Sequence, residues 1–175
     1  NETDKEEIRF NRVYKILLCV LACVIVIKSV DGVLFKEYST QGYSMQETIK
    51  PGDTVKVQKG RMPEKGDIVV FLDVSENQEG YLIKRCIATP GDTVYISDGY
   101  VYLNGEKLNE TEYVTYNKLK SPGLLSEPVT LNEGEYIVLG DNRDVSLDSR
   151  MLGVIKKENI VGKVVKIFKN WVLII

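Results

Sequence analysis

Hydrophobic and polar positions divide this chain into two regimes. Ile16–Ile27 is an unbroken apolar run, and it widens to Val13–Val30 if Lys15 and Lys28 lay their stems along it and turn their amines outward. A membrane span needs about 20 residues, which the wider limits only just reach. The run is apolar all round rather than along one stripe, so a single N-terminal transmembrane helix is the expected element. A signal-peptide h-region of overlapping length is the rival reading, and a buried core helix the third. The residues before the run, Asn1–Arg12, are charged and polar and are expected to fray. Lys5, Arg9, Arg12 and Lys15 precede the run or lie at its start, against Lys28 and Lys36 at its far end. That imbalance places the N-terminus in the cytoplasm and the bulk of the chain outside. The expected organisation is a tail over 1–12, an anchor and junction over 13–35, and a domain over 36–175.

From about Val33 the pattern turns to β. Thr54–Val57 alternates, and Asp67–Leu72 and Tyr81–Ala88 read as strands. Thr93–Ser97, Tyr100–Leu103 and Lys107–Leu108 are separated by Asp98-Gly99 and Asn104-Gly105, strong short signals for hairpins. Glu135–Leu139 and Ile160–Phe168 complete the set. Pro-Gly-Asp at 51–53 and again at 90–92 marks turns before strands. Asn109–Asn132 shows no clear period and carries Pro122, Gly123 and Pro128, so it reads as a loop-rich insertion. The apolar end Trp171–Ile175 fits either a last buried strand or a segment dipping into a membrane surface. The fold class is mostly β with short helical turns, preceded by one transmembrane helix.

Charge and composition narrow the chemistry. Lys and Arg number 23 against 25 Asp and Glu, and no basic stripe points to a nucleic-acid partner. The histidine count is zero. That removes Ser-His-Asp and Cys-His catalysis and most zinc sites, so a hydrolase here would take its base from a lysine, a carboxylate or a bound metal. Cys19 and Cys23 lie within the apolar run and read as small hydrophobes. Cys86 falls in a strand with no histidine to activate it.

The densest cluster of chemistry is Gly140–Arg150, with five charged side chains and two hydroxyls in eleven residues, directly after the apolar Tyr136–Leu139. A strand ending in such a cluster can deliver several charges to one partly buried place, which is costly unless they pair. Two further patches belong with it: Gly42-Tyr43-Ser44-Met45-Gln46-Glu47-Thr48-Ile49, and Tyr81 to Asp92 around Lys84-Arg85. Strand alternation puts Lys84 on one face and Arg85 on the other. Arg85 can then meet Asp141 or Asp148 while Lys84 faces Ser44. A serine hydroxyl is a poor nucleophile until a base takes its proton. Lysine can serve only when neutral, so its pKa must fall by several units from about 10.4, and burial beside Leu82, Ile83 and Ile87 is a setting that does this.

In this order, on a chain with an N-terminal anchor, the three patches resemble the type I signal peptidases of bacteria, in the Gram-positive-like form. The resemblance also takes in Gly66–Phe71, Gly153 and Ile160–Lys163. It implies a signal-peptidase-like β-barrel or β-sandwich catalytic domain with a Ser/Lys dyad and no metal or organic cofactor. It makes Ser44 the nucleophile and Lys84 the general base. Ser146 becomes the hydroxyl that orients the lysine amine, Asp148 and Arg150 a bracing ion pair, and Asp141 and Arg85 further supporting charges. The Ser44 N–H is the natural oxyanion donor. Gly42 stands where some members of the family carry a serine, so the oxyanion hole is expected to rest more on backbone, and Gly42 also lets substrate backbone approach. Met45 reads equally as a wall of the substrate pocket and as ordinary packing.

The partners implied are pre-proteins bearing signal peptides, bound as an added strand with small residues in shallow pockets, together with the lipid membrane. The chain departs from the family pattern at Glu47, where proline is usual, and at Ala88-Thr89, in place of Gly-Leu. A carboxylate at Glu47 that approached Lys84 would favour the charged amine and oppose catalysis. Two other readings stand beside the peptidase. One is a self-cleaving repressor, which would need a DNA-binding module where the anchor lies. The other is a non-catalytic relative that assists surface-fibre assembly.

Overall fold

The computed structural model describes residues 2–73, 80–114 and 119–170. Two compact units emerge, residues 1–36 and 37–175. The first is dominated by helix α1, Glu2–Leu34. Its Arg9–Leu34 portion contains a window of 18 residues with mean hydropathy 2.5 and is long and apolar enough to cross a membrane. At about 1.5 Å per residue, such a length exceeds a hydrocarbon core about 30 Å thick. The helix begins well before the apolar run, where the sequence led us to expect fraying.

The second unit is built on strands. β1 (Phe35–Ser39), β2 (Thr54–Lys59), β3 (Ile68–Leu72), β4 (Tyr81–Ala88), β9 (Glu135–Leu139), β10 (Ile155–Lys156) and β11 (Ile160–Phe168) form one seven-stranded sheet. Its order is β1-β2-β11-β3-β4-β9-β10. β5 (Thr93–Ser97), β6 (Tyr100–Leu103), β7 (Glu106–Lys107) and β8 (Val129–Thr130) form a four-stranded sheet in the order β7-β6-β5-β8. The two hairpins of this smaller sheet turn where the sequence signals said. Asp98 and Gly99 have φ of 52° and 81°, and Asn104 and Gly105 have 54° and 86°. Positive φ at both central residues is the turn whose twist matches paired strands.

Three clusters of buried side chains fill the unit. Met45, Ile49, Val55, Val57 and Val70 pack under the β2 region, and Val69, Phe71, Cys86, Val138, Ile155 and Ile160 lie across β3, β4 and β9. The third joins the sheets through Ile87, Val94, Ile96, Ile137 and Leu139. Leu125 and Leu131 of the loop-rich stretch are also buried in it. That stretch is therefore part of the core. Its short 3-10 turn, Gly123–Leu125, carries one buried leucine, which is too little to give a period. The expected strand at Lys107–Leu108 sits one residue earlier, as β7, because the Asn104-Gly105 turn pairs Leu103 with Glu106. The apolar end Trp171–Ile175 lies outside the described residues.

Candidate active site

β4 is the spine of the site. Paired with β3 on one side and β9 on the other, it holds Lys84 opposite Val69 and Arg85 opposite Leu139. Alternation sends the two cations to different surroundings. Lys84 is only 2% exposed, and burial brings its amine down from 10.5 to about 8, although Asp148, Asp73 and Asp141 pull the other way. The Nζ lies 2.9 Å from Ser44 Oγ and 2.9 Å from the carbonyl oxygen of Ile83. A neutral amine can accept the serine proton on its lone pair while one N–H donates to Ile83. The pair thus has the reach and the polarity for proton transfer.

Ser44 sits in the turn between β1 and β2. That turn is held at its ends by Thr40, whose Oγ1 donates to the carbonyls of Lys50 and Asp53, and by Asp53, whose carboxylate accepts from the N–H groups of Lys50 and Asn170. Lys169 adds an ammonium to Asp53 and to the Thr48 carbonyl. Those hydrogen bonds from Asn170, Lys50 and Lys169 outweigh the effect of burial and keep the Asp53 carboxyl below its usual range. Met45 is buried against Ile49 and Val55, and its sulfur accepts the Asp141 N–H at 3.4 Å. It also lines the cleft beside Ser44 and Lys84. Gly42 is exposed on that cleft, with open space where a side chain would be.

The cleft encloses about 320 Å³ between two lengths of chain, Tyr38 to Met45 on one side and Tyr81 to Lys84 on the other. Ser44 and Lys84 lie at one part of it. Elsewhere the rings of Tyr38 and Tyr81 meet edge to face, 4.9 Å between centroids.

The charged run after β9 folds back beneath Ser44. Asn142 N–H donates to the Ser44 carbonyl at 2.9 Å. Asp141, wholly buried, receives Arg85 through Nε at 2.8 Å and Nη2 at 2.7 Å. Arg85 therefore selects Asp141 from the two candidates. Thr48 joins this pair, donating to Asp141 at 2.6 Å and accepting from Arg85 at 3.2 Å. Asp148 receives Arg150 at 2.9 Å through both Nε and Nη2, and its Oδ2 accepts the Gly140 N–H at 3.0 Å. Arg150 Nη2 also donates to the Arg143 carbonyl at 2.8 Å.

Ser146 differs from expectation. Its hydroxyl is buried and has no hydrogen-bond partner among the described residues. The amine's second hydrogen bond goes to the Ile83 carbonyl instead. Ser146 is nevertheless in the same packed layer. A methyl on Gly140 would come within 2.1 Å of its Oγ and 2.7 Å of the Ser44 carbonyl. Glu47 is exposed, and the carboxylates acting on Lys84 are Asp148, Asp73 and Asp141. Cys86 is pushed up to about 12 by burial and then by Asp67 and Asp92, and its thiol donates weakly to the Ala88 carbonyl. It is a protonated core residue. Among the described residues no cluster of His, Cys, Asp and Glu could hold a metal ion.

The sequence reading missed Thr48, the Ile83 carbonyl, Asp73, Arg143 and Glu110. Thr48 had a usable signal, four residues after Ser44 on the same turn. Glu110 had none, lying in the aperiodic stretch.

A buried lysine lies against a serine, above two arginine–carboxylate pairs, an arrangement that suits a serine hydrolase. The family model described as signal peptidase, peptidase S26, matches residues 12–171, and the chain belongs to that family. It is 33% identical over 171 residues to signal peptidase I of Bacillus licheniformis, covering 91% of this chain and 90% of that protein. Against signal peptidase IB of Staphylococcus aureus it is 33% identical over 173 residues, covering 89% and 87%. A crystal structure of a signal peptidase I from Enterococcus faecalis V583 is 32% identical and covers 59% of this chain and 97% of that one, with a TM-score of 0.45.

Proposed function

We propose that this protein is a membrane-bound serine endopeptidase that removes N-terminal signal peptides from exported pre-proteins. The observation that carries the reading is the 2.9 Å approach of Lys84 Nζ to Ser44 Oγ, with the amine buried. Lys84 takes the hydroxyl proton as Oγ attacks the scissile carbonyl carbon. The negative charge then forms on the carbonyl oxygen, where the Ser44 N–H is the donor in reach of the new tetrahedral centre. Collapse of that centre breaks the C–N bond, and the Lys84 ammonium returns its proton to the departing amine. The ester left on Ser44 is hydrolysed by a water that Lys84 deprotonates in turn. Asp141 with Arg85 and Asp148 with Arg150 hold the layer beneath, Ser146 packs in it beside Gly140, and no cofactor enters.

Substrate enters as an extended strand in the cleft between Tyr38–Met45 and Tyr81–Lys84. Gly42 leaves room for its backbone, and Met45 walls the site for a small side chain. Helix α1 anchors residues 13–35 in the membrane with tail 1–12 in the cytoplasm, as the basic residues ahead of the span direct. The catalytic domain, 36–175, then works at the outer face, where enzyme and substrate share one surface. Both members of the dyad are present and in contact, which disfavours the non-catalytic fibre-assembly factor. The test is incubation of a model pre-protein with the wild type and with Ser44→Ala, reading the cut by mass spectrometry. Cleavage after a small residue by the wild type alone supports the reading; no cleavage by the wild type overturns it.

A further inference from the structure

One turn of the loop-rich stretch touches two of the arginines beneath the site, the buried Arg143 and the half-buried Arg85. The Tyr113 and Val114 N–H groups donate to the Glu110 carbonyl, closing a tight turn over 110–114. The Glu110 carboxylate receives Arg143 at 2.5 Å from Nη2 and 3.1 Å from Nη1. The side chains of this pair are 3% and 13% exposed. The Tyr113 ring lies under the Arg85 guanidinium, 4.2 Å from its centroid, and the Tyr113 hydroxyl donates to Glu110 at 3.3 Å.

What those arginines hold is the floor of the nucleophile. Arg143 Nε donates to the Gly140 carbonyl at 2.8 Å, while Asp148 takes the Gly140 N–H at 3.0 Å. Gly140 is thus fixed through both of its backbone groups, at a spot where an added methyl would meet Ser146 Oγ and the Ser44 carbonyl. Arg85 fixes Asp141, the next residue, and the residue after that donates to the Ser44 carbonyl. The same stretch docks a second time at Gly123. With φ at +56°, a side chain there would fall 2.1 Å from the Arg150 carbonyl.

We infer that Glu110 and Tyr113 are positioning residues for the Ser44/Lys84 dyad, acting through Arg143 and Arg85 on the Gly140–Asn142 floor. A bidentate carboxylate and a stacked ring suit guanidinium because both fix its plane as well as its charge. Without them, each arginine keeps its charge and its remaining hydrogen bonds but loses one of the contacts that fix its plane. Displacing a floor residue by even about 1 Å moves Ser44 out of line with the scissile carbon, a shift that can cost on the order of a hundredfold in rate. This inference rests on the peptidase reading above.

The test uses the full chain in detergent micelles, with a pre-protein substrate, well below the melting temperature, and with folded content matched by circular dichroism. Wild-type cleavage that Ser44→Ala abolishes establishes the activity; its absence sinks the peptidase reading, and this inference with it. Given that activity, Glu110→Gln and Tyr113→Leu are each expected to lower kcat about tenfold with KM within about twofold. Tyr113→Phe, which keeps the ring over Arg85, is expected to recover most of the Tyr113→Leu loss. Glu110→Gln combined with Arg143→Lys is expected to cost no more than the worse single change, since both break one contact. Folded Tyr113→Leu with kcat within twofold of wild type overturns the inference, even if Glu110→Gln does not fold. Loss confined to melting temperature, with kcat intact, overturns it as well.

Discussion

The Asn142 N–H donates to the carbonyl of Ser44 at 2.9 Å, so Ser44 and the charged turn after β9 are one hydrogen bond apart. The Ser44 backbone is therefore set from below by a residue whose neighbours on both sides are ion-paired, and its side chain is set from β4 by Lys84.

Replacing either member of the dyad should abolish cleavage while leaving the fold intact. Ser44→Ala removes the nucleophile. Lys84→Arg keeps a cation whose guanidinium does not give up its proton at working pH. Product formation measured by gel shift or mass spectrometry, beside a circular dichroism spectrum, checks both; activity in either variant rules out the dyad.

The pH dependence follows from the Lys84 amine at about 8. Below that value the protonated fraction dominates, and kcat/KM should rise about tenfold per pH unit before levelling above 8. A rate flat between pH 6 and 9 would contradict a lysine base.

Stability should run with the same group. The folded amine titrates near 8 and the unfolded one near 10.5, so between those values the unfolded chain binds more protons and stability rises with pH. Below 8 the full penalty applies, about 3 kcal/mol at 1.36 kcal/mol per unit. Lys84→Met should accordingly raise the melting temperature at pH 7, with a gain that shrinks above pH 8. Denaturant melts of the two proteins at several pH values measure it, and a destabilised Lys84→Met would show that the amine's contacts outweigh its burial.

Arg85→Met should be strongly destabilising, by about 3–5 kcal/mol, because it strands the wholly buried Asp141 carboxylate without its partner. The double change Arg85→Met with Asp141→Leu should regain much of that stability and none of the activity. Chemical denaturation with parallel cleavage assays separates the two effects.

Glycine matters unequally at two places along the site. A methyl at Gly140 meets Ser146 and the Ser44 carbonyl, whereas one at Gly42 meets open space. Gly140→Ala should lose stability by about 1–3 kcal/mol, as overpacking does, and lose cleavage with it. Gly42→Ala should leave the melting curve unchanged. Equal melting temperatures for the two variants would refute the difference in packing.

Much of this architecture could be read from the chain because the signals were local. Asp98-Gly99 and Asn104-Gly105 specify their turns through their own backbone preferences, and the apolar run of α1 needs no partner to be recognised. The meeting of Ser44 and Lys84 was legible through three short patches, of which the first two are weak alone. What escaped depended on contacts between distant segments. The choice of Asp141 over Asp148 for Arg85 is settled by the register of β4 on β9. The Ile83 carbonyl took a hydrogen bond because it is a backbone group, which sequence cannot display. Glu110 and Leu125 sit in a stretch without period, where each position is fixed by what it docks on.

Serine, amine and floor come from the turn after β1, from β4 and from the run after β9, and they meet only once those strands have paired. In a nascent or partly folded chain the amine is hydrated and carries its proton, so the hydroxyl has no base. Competence to cut therefore switches on with completion of the fold, and a chain not yet folded is no hazard to itself or to its neighbours.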